Sequence, residues 1–473
     1  MNTILKYILG LGIVFFFSCD AQLDVENPES LSPEQSLSEI AGFEGLLNTA
    51  YRRVHLFGWM GQNGIVNPEI MADNLDFNNR TGRFENNYVN AIRSHMGRWG
   101  LYVGINNLNT IIGQIDNLTD LTADETDLQN QIKGEALLLR GLYYHELAKV
   151  YGYEPGREVG GFNLAVPLIT TPTTTVSDAF NFQPRATNTE VYSQITSDLN
   201  GAIDLLGDTA NAPFKATKSS AQALLSRVLL YAGDYSGAAS NATAAINGSG
   251  VELISDKAAY FDSWFASPHP ESILEAEIRP TDWSTVDGAN NSLSTLSNNT
   301  SSSSQFILVG SPELLAELDS DANDIRDTIW TEMADIPAGT RKCEKWQGEK
   351  GDFLENVPII RISEAYLNGA EANARGGNDS AAQDLINTFR LARGTEATTA
   401  TGQTLIDLIM KERRVEFALE GHRWFDLKRN GMDITKTATS GVPTLGYNDF
   451  RLLGFIPESE LSLNDLLVQN PGY

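Results

Sequence analysis

The chain has 473 residues, with 34 Lys and Arg against 61 Asp and Glu, a formal net charge of −27 and a pI near 4.5. That balance excludes nucleic-acid or anionic-lipid binding through a broad basic surface. Two cysteines, Cys19 and Cys343, allow no disulfide framework, so stability must come from a large buried core, for which the chain is long enough.

The N-terminus indicates the compartment. Lys6 precedes an uncharged, apolar run from Ile8 to Phe17, and Ser18-Cys19 follows. That run is too short to cross a hydrocarbon core of about 30 Å as a helix and reads as a secretory signal. A small residue directly before cysteine is what lipoprotein signal peptidase requires. Residues 1–18 are therefore expected to be removed, with Cys19 becoming the acylated first residue of a single domain spanning 19–473. Phe16 stands where such signals usually carry Leu, and ordinary secretion with a free Cys19 is the other reading. Two or three acyl chains anchor stably, whereas one binds marginally. No later stretch reaches the apolar length of a transmembrane helix.

Residues 20–33 read as a tether or an arm lying on the body. Helical periods then dominate. Ser38 to Val54 and Ser94 to Ile115 form a first pair, with Trp99, Tyr102, Ile105, Leu108, Ile112 and Ile115 recurring at helical spacing. Leu128 to Tyr151 and Asn188 to Leu206 follow. Ala221 to Ile246 is the clearest unit, helix–turn–helix, with Gly233 at the turn and small Ala238, Ala239 and Ala245 permitting close approach. It resembles a tetratricopeptide repeat. Ile359 to Phe389 and Leu405 to Lys428 repeat the plan. The expected fold is all-α: tetratricopeptide-like pairs in a right-handed superhelical scaffold. Long irregular insertions near 56–93, 152–187, 280–310 and 331–357 would occupy the ligand-facing side.

The stretch Lys411 to Gly431, KERRVEFALEGHRWFDLKRNG, alternates charge with bulky apolar groups. At helical spacing Arg413 meets Glu416 and Glu420 meets Arg423, and Gly421 marks two short helices or a kink. Glu412, Arg413, Arg414, Glu416, Phe417, Glu420, Gly421, Arg423, Asp426 and Leu427 closely resemble the C-terminal signature of the SusD/RagB family. The resemblance continues in order through Pro184-Arg185-Ala186-Thr187, the Asp324/Arg326 turn, Pro358 to Glu364, and the final Gln469-Asn470-Pro471-Gly472-Tyr473. It implies an outer-membrane lipoprotein facing the cell surface. Such a protein caps a SusC-like TonB-dependent transporter and binds glycans or, in some branches, peptides. The signature itself reads as architectural.

Catalytic motifs are absent. His145-Glu146 has Lys149 where a zinc-protease motif needs its second histidine. Asp319, Asp321 and Asn323 begin like a calcium loop, but Asp324 stands at the required Gly and Trp330 at the closing Glu. No metal, cofactor or nucleic-acid partner is assigned. Sugars need flat apolar faces and planar hydrogen-bonding groups. Trp283, opening a Ser/Asn-rich loop, is the leading stacking candidate, with loop anchoring as the other reading. Trp330 and Trp346 bracket a further loop, and Asp73, Asn74 and Arg80 offer polar groups beside Phe77 that could equally form a turn network. Trp99 and Trp424 read as core. The expected function is non-catalytic oligo- or polysaccharide capture at the surface and delivery to the transporter. A peptide binder, a surface glycosidase and a bare scaffold are the rivals.

Overall fold

Helix boundaries follow from capping chemistry. A computed structural model describes residues 36–473 except 57, 79–81, 209–212, 283–290, 299–305 and 333–337. Thr122, Thr187 and Thr217 each cap a helix through a reciprocal box with the residue three positions on. These helices are α4 (Ala123–Tyr151), α5 (Asn188–Leu205) and α6 (Lys218–Ala232). They follow α1 (Ile40–Val54), α2 (Asn63–Ile70) and α3 (Leu101–Gln114). Gly233, at φ 80°, ends α6, and Asp234 caps α7 (Tyr235–Gly248). The C-terminal half supplies α8 (Ile362–Arg375), α9 (Asp379–Ala392), α10 (Gly402–Glu416) and α11 (Arg423–Arg429).

Neighbouring helices pack in sequence: α1 on α3, α3 on α4, α4 on α5, α5 on α6, α6 on α7. The stack continues from α7 to α8 and from α8 to α9, although a long stretch of other structure separates α7 from α8 in the chain. A Cβ on Gly369 would lie 3.2 Å from the Ala242 methyl, so small residues set the α7–α8 approach. The protein is thus a tetratricopeptide-like helical stack, and its largest apolar core runs from Phe43 to Ile456.

Among the described residues three two-stranded antiparallel sheets decorate it. Strand β1 (Leu75–Phe77) pairs with β3 (Leu308–Gly310), β2 (Ser272–Ala276) with β6 (Val357–Arg361), and β4 (Trp330–Glu332) with β5 (Arg341–Cys343). These elements correct the loop and helix limits expected from sequence. Residues 56–93 include α2, which carries Pro68 inside it and buries Ile65, Val66 and Ile70. Ile359 to Arg361 are strand rather than helix, and α3 begins only at Leu101, leaving Trp99 on the turn before it.

Candidate functional site

A cleft of about 420 Å³ opens between the end of α1 and the chain leaving β2. One wall is Asn48, Arg52 and His55; the facing wall is Glu277, Arg279 and Asp282; Phe214 and Lys215 close one side. The walls are fixed from behind. The Tyr51 hydroxyl donates to Glu135 at 2.6 Å and accepts from the Ala216 amide at 2.8 Å, pinning 214–216 against α1. Glu275 accepts from Ser272 Oγ (2.5 Å), the His269 amide (3.0 Å) and Asn356 Nδ2 (2.9 Å), so its carboxylate is fully engaged. Its pKa is nevertheless raised, because burial outweighs those donors.

His55 is 5% exposed, and its Nε2 makes no hydrogen bond among the described residues; Asp282 Oδ1 stands 3.6 Å away. Burial lowers its pKa despite that carboxylate, which favours a neutral imidazole with an unused nitrogen at the cleft. Guanidinium, amide, imidazole and carboxylate groups together match the alternating donors and acceptors of a polyhydroxylated ligand. Asp282 is also the residue directly before Trp283.

The expected site residues fall into two groups. Cys19, Arg80 and Trp283 lie outside the described residues. The others are held inside. Trp330 is buried at the start of β4, against Gly310. Trp346 is buried, donates its indole N–H to the Leu419 carbonyl at 3.1 Å and meets Trp264 edge-on. Neither presents a face to solvent, which corrects the stacking role expected for them. Asp73 accepts from Arg423 at 2.6 and 2.9 Å. Asn74 donates to Glu69 and accepts from Arg414 at 3.0 Å. These two side chains therefore tie the N-terminal half to the C-terminal signature rather than facing a ligand. Sequence reasoning missed Arg52, His55 and Lys215, which carry no motif; only the fold brings α1 to the β2 exit.

A second groove, of about 820 Å³, is lined by Trp99, Tyr102, Val103, Pro167 to Thr173, Phe182, Leu463 and Leu467. Trp99 is half-buried, the exception among the described tryptophans, and packs against the edge of the main core rather than inside it. Exposed Val103, Val176, Phe180, Leu463 and Leu466 extend the apolar surface. Among the described residues no Lys or Arg lines this groove, while Asp178 and Glu460 do.

Two family models match. Residues 343–473 fit the SusD family, and residues 23–230 fit the family described as starch-binding associating with outer membrane. The chain belongs to the SusD/RagB family. SusD-like protein P2 of Formosa agariphila is 24% identical over 95% of this chain and 96% of its own. Starch-binding protein SusD of Bacteroides thetaiotaomicron is 34% identical over 27% of this chain and 25% of its own. A putative sugar-binding protein of Bacteroides vulgatus superposes with a TM-score of 0.81 at 28% identity, covering 93% of this chain and 99% of that one. A laminarin-binding SusD-like protein shares the fold at a TM-score of 0.69 and 23% identity, covering 91% and 99%.

The SusD-like segments meet inside the structure. Arg185 donates to the carbonyls of Ala165, Tyr151 and Val468 and to Asn470 Oδ1, joining the 184–187 segment to the C-terminal five residues. Arg326 bridges Asp324 and Glu412 at 2.6 Å each. Arg361 reaches Glu271, Glu416 and Glu420 at 2.6–2.9 Å, and Arg393 reaches Glu271 and Glu416 at 2.8 Å. The i,i+3 pairs expected along the signature do not form. Arg413 pairs with Asp426, and Glu416 and Glu420 point at the arginines and Lys345 of other segments.

Proposed function

We propose that this SusD-like protein is a non-catalytic, lipid-anchored glycan binder at the cell surface, delivering oligo- or polysaccharide to a SusC-like TonB-dependent transporter in the outer membrane. The observation that carries the binding role is the Asn48–His55/Glu277–Asp282 cleft. It places hydroxyl-recognising groups on a rigid helix end, beside the position in the chain that Trp283 occupies. Trp283 supplies the stacking face and Arg80 a donor. Cys19 supplies the anchor, and no helix among the described residues is long and apolar enough to cross a membrane. The apolar groove at Trp99, Phe182 and Leu463 suits the transporter contact: it joins exposed aliphatic and aromatic surface to an acidic rim, so it favours a protein face over an anionic bilayer.

Retardation gels of the soluble chain against a polysaccharide panel test the capture role. Binding of at least one glycan, lost in His55→Ala and Trp283→Ala and unaccompanied by new reducing ends on long incubation, is the expected result. Release of reducing ends would make the protein a hydrolase and overturn the reading. For docking, Phe182→Asp with Leu463→Asp should abolish co-purification with the co-expressed transporter while leaving glycan retention intact.

A further inference from the structure

We propose that the cleft between α1 and the β2 exit selects glycans bearing an anionic substituent, a carboxylate or a sulfate ester, over neutral ones. This rests on the capture reading above and adds the chemical class of the ligand.

A ligand entering the cleft meets its cations before its carboxylates. The Arg52, Arg279 and Lys215 side chains are 63%, 64% and 50% exposed, and all three line one cleft. The carboxylates around them are recessed. Asp282 is 12% exposed, and Glu275 lies beneath three donors. Glu277, at 36%, is the most accessible of them. The mouth therefore presents its cations ahead of its carboxylates, on a chain whose formal charge is −27.

Their ion pairs are loose, although Lys215 also donates to Asn48 Oδ1 at 3.1 Å and lies over the Tyr51 ring. Arg52 stands 3.7 Å from Asp282, Arg279 3.3 Å from Glu277 and Lys215 3.8 Å from Glu135. In the buried web the arginines reach their carboxylates at 2.6–2.9 Å. Exposed pairs of this geometry contribute little to stability and are readily exchanged for a ligand. A guanidinium offers a planar fork that matches carboxylate and sulfate oxygens with two parallel hydrogen bonds, and two arginines, Arg52 and Arg279, line the cleft. His55, with its unpartnered Nε2, can hold a neighbouring hydroxyl. Among the described residues the second groove has no basic side chain in its lining, so the same glycan finds no equivalent seat there.

Calorimetry on the full soluble chain tests this with three probes: an oligogalacturonide for the carboxylate, a carrageenan oligosaccharide for the sulfate, and a laminarin oligosaccharide as the neutral control. At least one anionic probe should bind, with affinity falling about tenfold between roughly 0.05 and 0.5 M salt as the exposed charges are screened. The triple variant Arg52→Gln, Lys215→Gln, Arg279→Gln should lose that binding by tenfold or more while melting at the parent temperature. The ranking of the two anionic probes identifies which group is read. Binding of laminarin alone, salt-independent affinity, or an unaffected triple variant would overturn the anionic selection and leave capture standing. Failure of every probe, together with an empty polysaccharide panel, would overturn capture itself.

Discussion

Glu416 accepts from both Arg361 and Arg393 at 2.8 Å and is fully enclosed. Burial alone would raise its pKa, but the guanidinium groups of Arg393 and Arg361 win and hold the carboxyl well below the usual range. Removing one partner of such a web leaves charges buried without compensation, which costs about 3–5 kcal/mol. Glu416→Leu should therefore lower unfolding free energy by that amount in urea titrations. Arg52→Gln, on an exposed and loose pair, should change it by less than about 0.5 kcal/mol. Equal effects from the two substitutions would show that the enclosed web is not the stabilising feature. The sequence made the charged residues visible but not their partners. Glu416 meets Arg361 across 55 residues of chain and Arg393 across 23, whereas periodicity reports only neighbours three or four positions away.

At the scale of elements, legibility followed capping and period. Helix α5 was predicted to run from Asn188 to Leu206 and spans Asn188–Leu205, because Thr187 and Glu190 form a capping box and Val191, Ile195, Leu199 and Ala202 fall on one buried face. Thr187→Ala should cost about 1 kcal/mol of stability, read as a shift in the denaturation midpoint with glycan affinity unchanged. A larger loss would mean that Thr187 also supports the adjacent Arg185 junction with the C-terminus. The α10–α11 break was legible through Gly421, and the structure adds its reason. Its φ is 84°, and a Cβ there would lie 2.4 Å from the Gly64 carbonyl of α2. Gly421→Ala should destabilise the protein by more than Thr187→Ala does, since both the backbone and the α2 contact must shift. Helix α2 itself was hidden by Pro68, and the three- to five-residue strands were too short to show a period. The cleft was invisible for a related reason: its walls come from residues 48–55, 214–215 and 275–282, which share no motif.

For the molecule as a whole, the buried titratable groups set a direction for pH dependence. His145 is fully buried between Tyr192 and Tyr231, and its ring nitrogens find no hydrogen-bond partner among the described residues. Burial first, then Lys149, Arg227 and Lys428, lowers its pKa well below the ordinary value. Burial likewise brings His95 down to about 3. An unfolded histidine takes a proton near pH 6.5 while these two refuse it, so the stability they contribute is complete above about 6.5 and is lost as pH falls toward their folded values. Glu364 and Glu371 lie at about 2 because Arg227 and Arg429 overcome the burial penalty. Their contribution is complete above the unfolded value of about 4.3 and is lost as pH drops through about 2. Acidification also relieves repulsion on the acidic surface, an opposing effect that salt at about 0.15 M largely screens between exposed charges but not between enclosed ones. Urea midpoints at that salt should therefore fall in two stages, first between about pH 6.5 and 4.5 as unfolded histidines protonate, then more steeply below about 4.3. His145→Phe, which keeps a ring between the two tyrosines, should make the first stage shallower, His95 still contributing, and leave the second. A midpoint that rises between about pH 6.5 and 4.5 would mean that surface repulsion together with the buried carboxylates of raised pKa, Glu275 and Glu349, outweighs the enclosed histidines.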